Sequence, residues 1–249
     1  MIYQKEKLDL VLVPSGLIVM FGYHLWLLYR CLNCPHTTII GFENHDKKAW
    51  VDKVMQARFL QSLHNIMDKN ALSIPLSVLS SNISAAMVLS SICLTLCAII
   101  GTWAANRSSV FESTLIYGDT SSSTISMKYM CLLLCFLLAF ACFVESTRSL
   151  IHATYLISIP SSNVPTKSVE LAVIRGGGFW SLGLRALYLA LLLLTWFFGP
   201  IPMFATSLMM VCVLHFLDTN NMPLHLHRAS EKSTGLRPVG RLVAQALPE

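Results

Sequence analysis

Glu145, Arg148 and His152 are spaced by three and four residues, which places them on one face of a helix. His24 is the one strongly polar side chain late in an apolar run that starts at Leu10 and is closed by Arg30. An acid, a guanidinium and two imidazoles at similar depth could relay protons or guide an ion. They could equally form a structural polar clasp, because Glu145 and Arg148 can pair within a single helix. Ionisable groups at membrane depth are costly and are functional candidates by default. Proximity to the interface lowers that cost, and the clasp is the reading taken, with the relay as its alternative.

Two further sets of residues carry chemistry. Cys31 and Cys34 form a C-x-x-C with His36 and His45 nearby. A structural zinc site needs four ligands and no second C-x-x-C exists, so no metal is expected. Cysteines just past an apolar run are candidate palmitoylation sites instead. Arg175-Gly176-Gly177-Gly178 resembles a phosphate loop, but neither G-x-G-x-x-G nor GK[ST] completes it. It reads as a flexible hinge. No G-x-S-x-G, H-E-x-x-H or paired-carboxylate pattern occurs. Catalytic residues, cofactors and enzymatic activity are not expected.

The elements that must position these groups are membrane helices. Of the 249 residues, 54% are hydrophobic and 12% charged, against about 25% charged in ordinary soluble domains. A bilayer core takes about 20 apolar helical residues. Candidate spans are 10–29, 85–105, 129–150 and the long segment 186–217. The first has no small-residue cleavage site and reads as a retained span rather than a signal peptide. The last lacks any Lys, Arg, Asp or Glu. As one straight helix it would rise about 48 Å, well beyond a core of about 30 Å. FFGPIPM, residues 197–203, interrupts it. Gly199, Pro200 and Pro202 either kink one long span or turn the chain back between two.

Charge asymmetry favours the turn. Cytoplasmic loops are enriched in Lys and Arg. A break at Gly199 puts fourteen of the eighteen basic residues on one face, against four on the other; a single span splits them ten to eight. The basic face, with loops 30–84 and 158–185, is then cytoplasmic and the N-terminus outside. The expected fold is all-α: a polytopic transmembrane helical bundle of four spans, the last broken at Gly199-Pro200 and thereby capable of counting as a fifth. It forms one domain over 1–219, with a disordered polar tail over 220–249.

Between the first two spans, residues 47–67 carry Val51, Met55, Phe59, Leu63 and Ile66 or Met67 at helical spacing. This reads as an amphipathic helix on the cytoplasmic membrane surface, with packing on a partner protein as the alternative. Asn106-Arg107-Ser108 is a glycosylation sequon too close to the membrane to carry weight. Six of the eight cysteines lie in apolar runs, where a thiol behaves as a small hydrophobe, so no disulfide framework is expected. No basic stripe with interleaved aromatics suggests nucleic acid.

LDLVLVPSGLIVMFGYHLWLLYR at the start, and FGPIPMF followed by VLHFLD, resemble the opening and closing segments of a plant membrane family catalogued as domain of unknown function 599. The resemblance runs from about Leu8 to Asp218. It implies a multi-span membrane protein and carries over no catalytic residue. The functional expectation is a non-enzymatic membrane protein that scaffolds or regulates partners. A small transporter or channel component using the polar cluster is the alternative, and a lipid-modifying enzyme is third. Membrane lipid is the expected partner; an unidentified protein partner and homo-oligomer formation both stay open. The location is a multi-pass position in the plasma membrane or an endomembrane.

Overall fold

The computed structural model describes residues 2–64, 73–106, 121–159 and 164–220. Among these residues six helices follow one another: α1 (Ile2–Asn33), α2 (Ile39–His64), α3 (Ser73–Asn106), α4 (Ser122–Ser158), α5 (Thr166–Thr195) and α6 (Pro200–Asp218). Short 3-10 turns, Pro35–Thr37 and Trp196–Phe198, precede α2 and α6. No strand occurs among the described residues. Among the described residues five helices are long and apolar enough to cross a membrane: all but α2. The protein is an integral, multi-pass membrane protein with an all-α bundle.

The long apolar segment is two helices. Gly199 has φ 129°, a backbone conformation open to glycine and strained for residues with a side chain. Pro200 then starts α6, where its missing N–H would have had no helical partner anyway. The chain turns back, so α6 runs parallel to α1. Ser207 Oγ donates to the Gly16 carbonyl at 2.7 Å, and further along both helices the Trp26 ring stacks on His215 with centroids 5.7 Å apart. The turn after α1 is tied to the end of α6 as well. Thr38 forms an antiparallel bridge with Thr219, and the Asn220 N–H donates to the Thr37 carbonyl at 3.1 Å.

Four expectations need correction. The helices extend beyond the expected spans: α3 begins at Ser73, α4 continues to Ser158, and α5 begins at Thr166. Second, Gly176, Gly177 and Gly178 form no hinge but lie inside α5. A Cβ at Gly176 would come within 2.8 Å of the Leu150 side chain, so the glycine is what lets α4 and α5 approach. Third, the amphipathic helix starts at Ile39 rather than 47. Thr38 caps it, its Oγ1 accepting from the Gly41 N–H at 3.2 Å. Fourth, α2 buries a face against its own chain, where the expectation was a membrane surface or a partner. Val51 and Val54 pack in a core with Leu79 of α3, Leu150, Ala153 and Ile157 of α4, and Val169, Ala172 and Val173 of α5. Phe59, expected on the apolar face, is 54% exposed. The buried stripe runs through Val51, Val54 and Arg58, so the helix is turned relative to the predicted one. Residues 65–72, including Ile66 and Met67, lie outside the described set, as do the sequon's Arg107 and Ser108 and the tail from 221.

Among the described residues the core falls into three clusters, the smallest formed by Cys93 of α3, Ala139 and Phe143 of α4 and Ala186 of α5. A membrane storey packs Met20 and Tyr23 of α1 with Leu132 and Phe136 of α4, Leu192 and Leu193 of α5, and Met203 and Leu214 of α6. A second storey, made by α2 and the basic-face ends of α3, α4 and α5, extends beyond it. Outward-facing leucines, phenylalanines and methionines such as Leu10, Phe21, Leu134, Met209 and Phe216 are exposed, as lipid-facing positions must be.

Candidate functional site

Polar ties between helices mark the depth of the membrane storey. At the N-terminal face Lys128, only 3% exposed, donates from Nζ to the Trp196 carbonyl at 3.2 Å. The Trp196 indole N–H donates to Asp9 Oδ1 at 3.2 Å. At the basic face Ser146 Oγ donates to the Gly176 carbonyl at 2.8 Å. Lys128 to Ser146 on α4, and Gly176 to Trp196 on α5, each span about 27–30 Å of helix at 1.5 Å per residue. That distance equals the thickness of a bilayer's hydrocarbon core. The two tie levels are thus about one hydrocarbon-core thickness apart.

Between these levels lies an ion pair. Arg185 on α5 holds Asp218 at the end of α6 with both prongs of its guanidinium, at 2.8 and 3.2 Å. Tyr23 of α1 donates its hydroxyl to Asp218 Oδ2 at 2.8 Å. Both charged side chains are largely buried, 15% and 13% exposed. Three donors on one carboxylate satisfy it and fix three helices at one point. Around this lock, Arg30 lies 4.9 Å above the Trp26 ring and donates to the Thr37 carbonyl at 3.1 Å. The aromatic stretch closing α1 is thus the seam along which α1 meets α6.

His24 sits half-buried beside this lock. Its Nδ1 is 2.8 Å from the Met20 carbonyl, and its ring meets the Tyr23 ring edge-on. Glu145 and Arg148 pair within α4 at 3.1 Å, with Arg148 74% exposed, and His152 is exposed. The described partners of His24 and those of the α4 residues have no member in common. The structure thus brings Glu145 to Arg148 and sets His24 by Tyr23. Cys31 Sγ lies 3.7 Å from Thr38 Oγ1, while Cys34 is exposed at the start of the turn before α2. Cys31 and His36 and His45 line one groove of about 440 Å³ with Lys48 and Asn44. Among the described residues no group of three or more His, Cys, Asp or Glu side chains could hold a metal ion. All eight cysteines are free thiols, and Cys93, Cys97, Cys135 and Cys142 are buried.

Arg185 and Asp218 escaped the reading of the sequence, where they served only as the charges flanking an uncharged run. A signal was present. The two bracket that run, and folding it back at Gly199 must bring its ends to one face.

A second feature lies at the basic boundary. A cavity of about 430 Å³ opens where α2, α3, α4 and α5 meet, immediately beside the Ser146–Gly176 tie. Its α2 wall carries Glu43, Asp46, Lys47 and Trp50, and its bundle wall Leu79, Leu150 and Trp180. Lys47 Nζ pairs with Glu43 at 2.9 Å and occupies the room left by the absent side chain of Gly177, where a Cβ would lie 2.7 Å from it. Arg58 anchors the same helix. It donates to the Leu156 carbonyl at 3.2 Å and also to the Ile159 carbonyl, at the last turn of α4, and Lys48 pairs with Glu170 of α5 at 3.3 Å.

No curated protein and no solved structure matches the chain. The family model described as "Protein of unknown function, DUF599" matches residues 11–223, from the first turns of the α1 span to just beyond Asp218. On that match over most of its length, the chain belongs to this family.

Proposed function

We propose that this is a non-enzymatic membrane protein that scaffolds or regulates partner proteins at its basic face. One observation carries the reading. The Arg185–Asp218–Tyr23, Lys128–Trp196–Asp9 and Ser146–Gly176 contacts tie helix to helix, while α2 is clamped from behind by Val51, Val54 and Arg58 and turns Asp52, Lys53, Gln56 and Phe59 outward. A rigid helix with an exposed mixed-charge face is a presented surface. The basic asymmetry makes that face cytoplasmic, in the plasma membrane or an endomembrane. Transport is the competing reading, and it drew on the Gly199-Pro200 break. Discontinuous transport helices break near the bilayer midplane, whereas this break adjoins Trp196 at the N-terminal boundary.

The test compares wild type with the triple variant Asp52→Ala, Lys53→Ala, Phe59→Ala. Wild type should retain defined partners in mild detergent, and the variant should lose them at unchanged membrane level and unchanged melting temperature. Identical partners on both proteins, or solute flux through wild-type vesicles that Glu145→Gln or His24→Ala abolishes at normal protein level, overturns the reading.

A further inference from the structure

We propose that the cavity between α2 and the bundle binds an uncharged aromatic molecule carrying a single hydroxyl group. The site lies on the inner side of α2, so the inference stands apart from what the outer face of that helix docks.

Location sets the character of the site. Leu79, Leu150 and Val173 line the cavity, and all three are buried in the cluster that packs α2 onto α3, α4 and α5. Trp50 of α2 packs on the same cluster. Trp180 packs on the neighbouring cluster, where its ring meets Phe143 edge-on at 5.5 Å. The cavity thus opens at the joint between two clusters, and each contributes an indole to its wall. Its volume of about 430 Å³ falls in the range of small-ligand sites, about 300–1,000 Å³. Cavities lined by apolar side chains take uncharged aromatic molecules such as benzene. Contacts between aromatic rings add to what area burial alone provides, which favours an aromatic body over an aliphatic one.

Charge narrows the ligand further. Every ionisable side chain on the wall is already engaged. Lys47 pairs with Glu43 at 2.9 Å, and Asp46 has an interaction of its own. An ionic ligand would leave water for a wall with no counter-charge to spare. Among the polar groups, the Ser146 hydroxyl already donates to the Gly176 carbonyl. The exposed side-chain amide of Asn82 on α3 is different: it lines the cavity and has no hydrogen-bond partner among the described residues. An amide offers both donors and an acceptor, so it can hold a hydroxyl in either role.

The experiment titrates the purified full chain, in mild detergent at neutral pH, with four probes built on one ring system. They are 2-naphthol, naphthalene, 2-naphthoate and 2-naphthylmethylammonium. Binding is read by equilibrium dialysis against the Ala85→Phe variant and by thermal shift. Ala85 is exposed and lines the cavity, so the added ring blocks the site from the α3 wall, and partition into the micelle cancels. Wild type should bind 2-naphthol saturably above that background and gain melting temperature with it. Naphthalene should bind up to about tenfold more weakly, and both charged probes at least about tenfold more weakly. Asn82→Leu should bring 2-naphthol down to the level of naphthalene at an unchanged melting temperature of the ligand-free protein. Equal or tighter binding of either charged probe by wild type overturns the proposal. So does naphthalene binding as tightly as 2-naphthol, or 2-naphthol showing neither saturable binding above background nor a thermal shift. These wild-type comparisons decide the matter even where Asn82→Leu fails to fold. A folded Asn82→Leu protein that keeps the preference for 2-naphthol overturns it too.

Discussion

Arg185 and Asp218 bracket a stretch without a single Lys, Arg, Asp or Glu, and they close on each other as a two-pronged ion pair at 2.8 and 3.2 Å. The pairing requires the chain between them to fold back, which Gly199 permits with its positive φ and Pro200 enforces by starting a new helix. Tyr23 joins from α1, so the first and last spans meet through one carboxylate.

Removing one partner of this pair should cost far more than removing both. Arg185→Met leaves Asp218 charged at membrane depth, and Asp218→Leu leaves the guanidinium without its counter-ion. Each single change should destabilise the protein by about 3–5 kcal/mol, the loss typical of an orphaned buried charge. The double variant Arg185→Met, Asp218→Leu should lie nearer to wild type than either single variant. Unfolding of the detergent-solubilised proteins by temperature or denaturant measures this. Additive losses in the double variant would show that the pair is not coupled.

The glycines of α5 should respond in opposite directions. A Cβ added at Gly178 would meet nothing within 4 Å, so Gly178→Ala gains helix propensity and should stabilise by up to about 1 kcal/mol. Gly176→Ala drives a methyl group against Leu150 and should cost about 1–3 kcal/mol, as overpacking does. Adding Leu150→Ala to Gly176→Ala should relieve the clash. Thermal melts of the three variants test the ordering. A stretch serving as a hinge would instead lose function on Gly178→Ala, with no dependence on Leu150.

How far the sequence reveals this architecture depends on which force acts. Solvent preference is written into composition, so the apolar runs expose the spans, and Gly199-Pro200 exposes the turn, because both are local. Helix extension beyond the membrane is not local. α5 continues through Lys167, Glu170 and Arg175 because Val169, Ala172 and Val173 face α2 and α4, and hydropathy sees only the charges between them. Periodicity finds α2 as a helix with an apolar side. It cannot say whether that side meets lipid or the bundle, and the stripe actually buried runs through Arg58, which pattern reasoning assigns to water. Arg58 is buried because the last carbonyls of α4 need donors. Likewise, three successive glycines look flexible until Leu150 and Ser146 are placed against them. Glu145 and Arg148 were legible as an i,i+3 pair; the separate seat of His24 was not, because shared depth does not say which helices are neighbours.

Topology gives a prediction independent of stability. In a cysteine-free background, Lys53→Cys and Thr219→Cys should both react with a membrane-impermeant reagent from the basic face. Ser122→Cys should react from the opposite face alone. The parallel arrangement of α1 and α6, tied through Gly16–Ser207 and Trp26–His215, demands this. Labelling of position 219 from the same side as position 122 would exclude the five-helix path.

Arg58 tests whether α2 is part of the bundle or an appendage. Its guanidinium is buried, and it donates to Leu156 and Ile159, supplying hydrogen bonds where the final turn of α4 has no helical N–H to offer. Arg58→Ala removes charge-assisted bonds of about 1.5–3 kcal/mol in total effect and leaves those carbonyls without that donor. The loss falls at the far end of the second storey, away from the membrane storey packed around Leu132 and Met203. Amide hydrogen exchange should therefore accelerate in α2 and in the last turn of α4, while the span regions of α1 and α6 stay protected. Arg58→Lys keeps the charge but not the two-pronged reach, and should fall between Ala and wild type. If exchange in α2 is unchanged in Arg58→Ala, the Val51–Val54 contact alone holds the helix, and the clamp assigned to Arg58 is wrong.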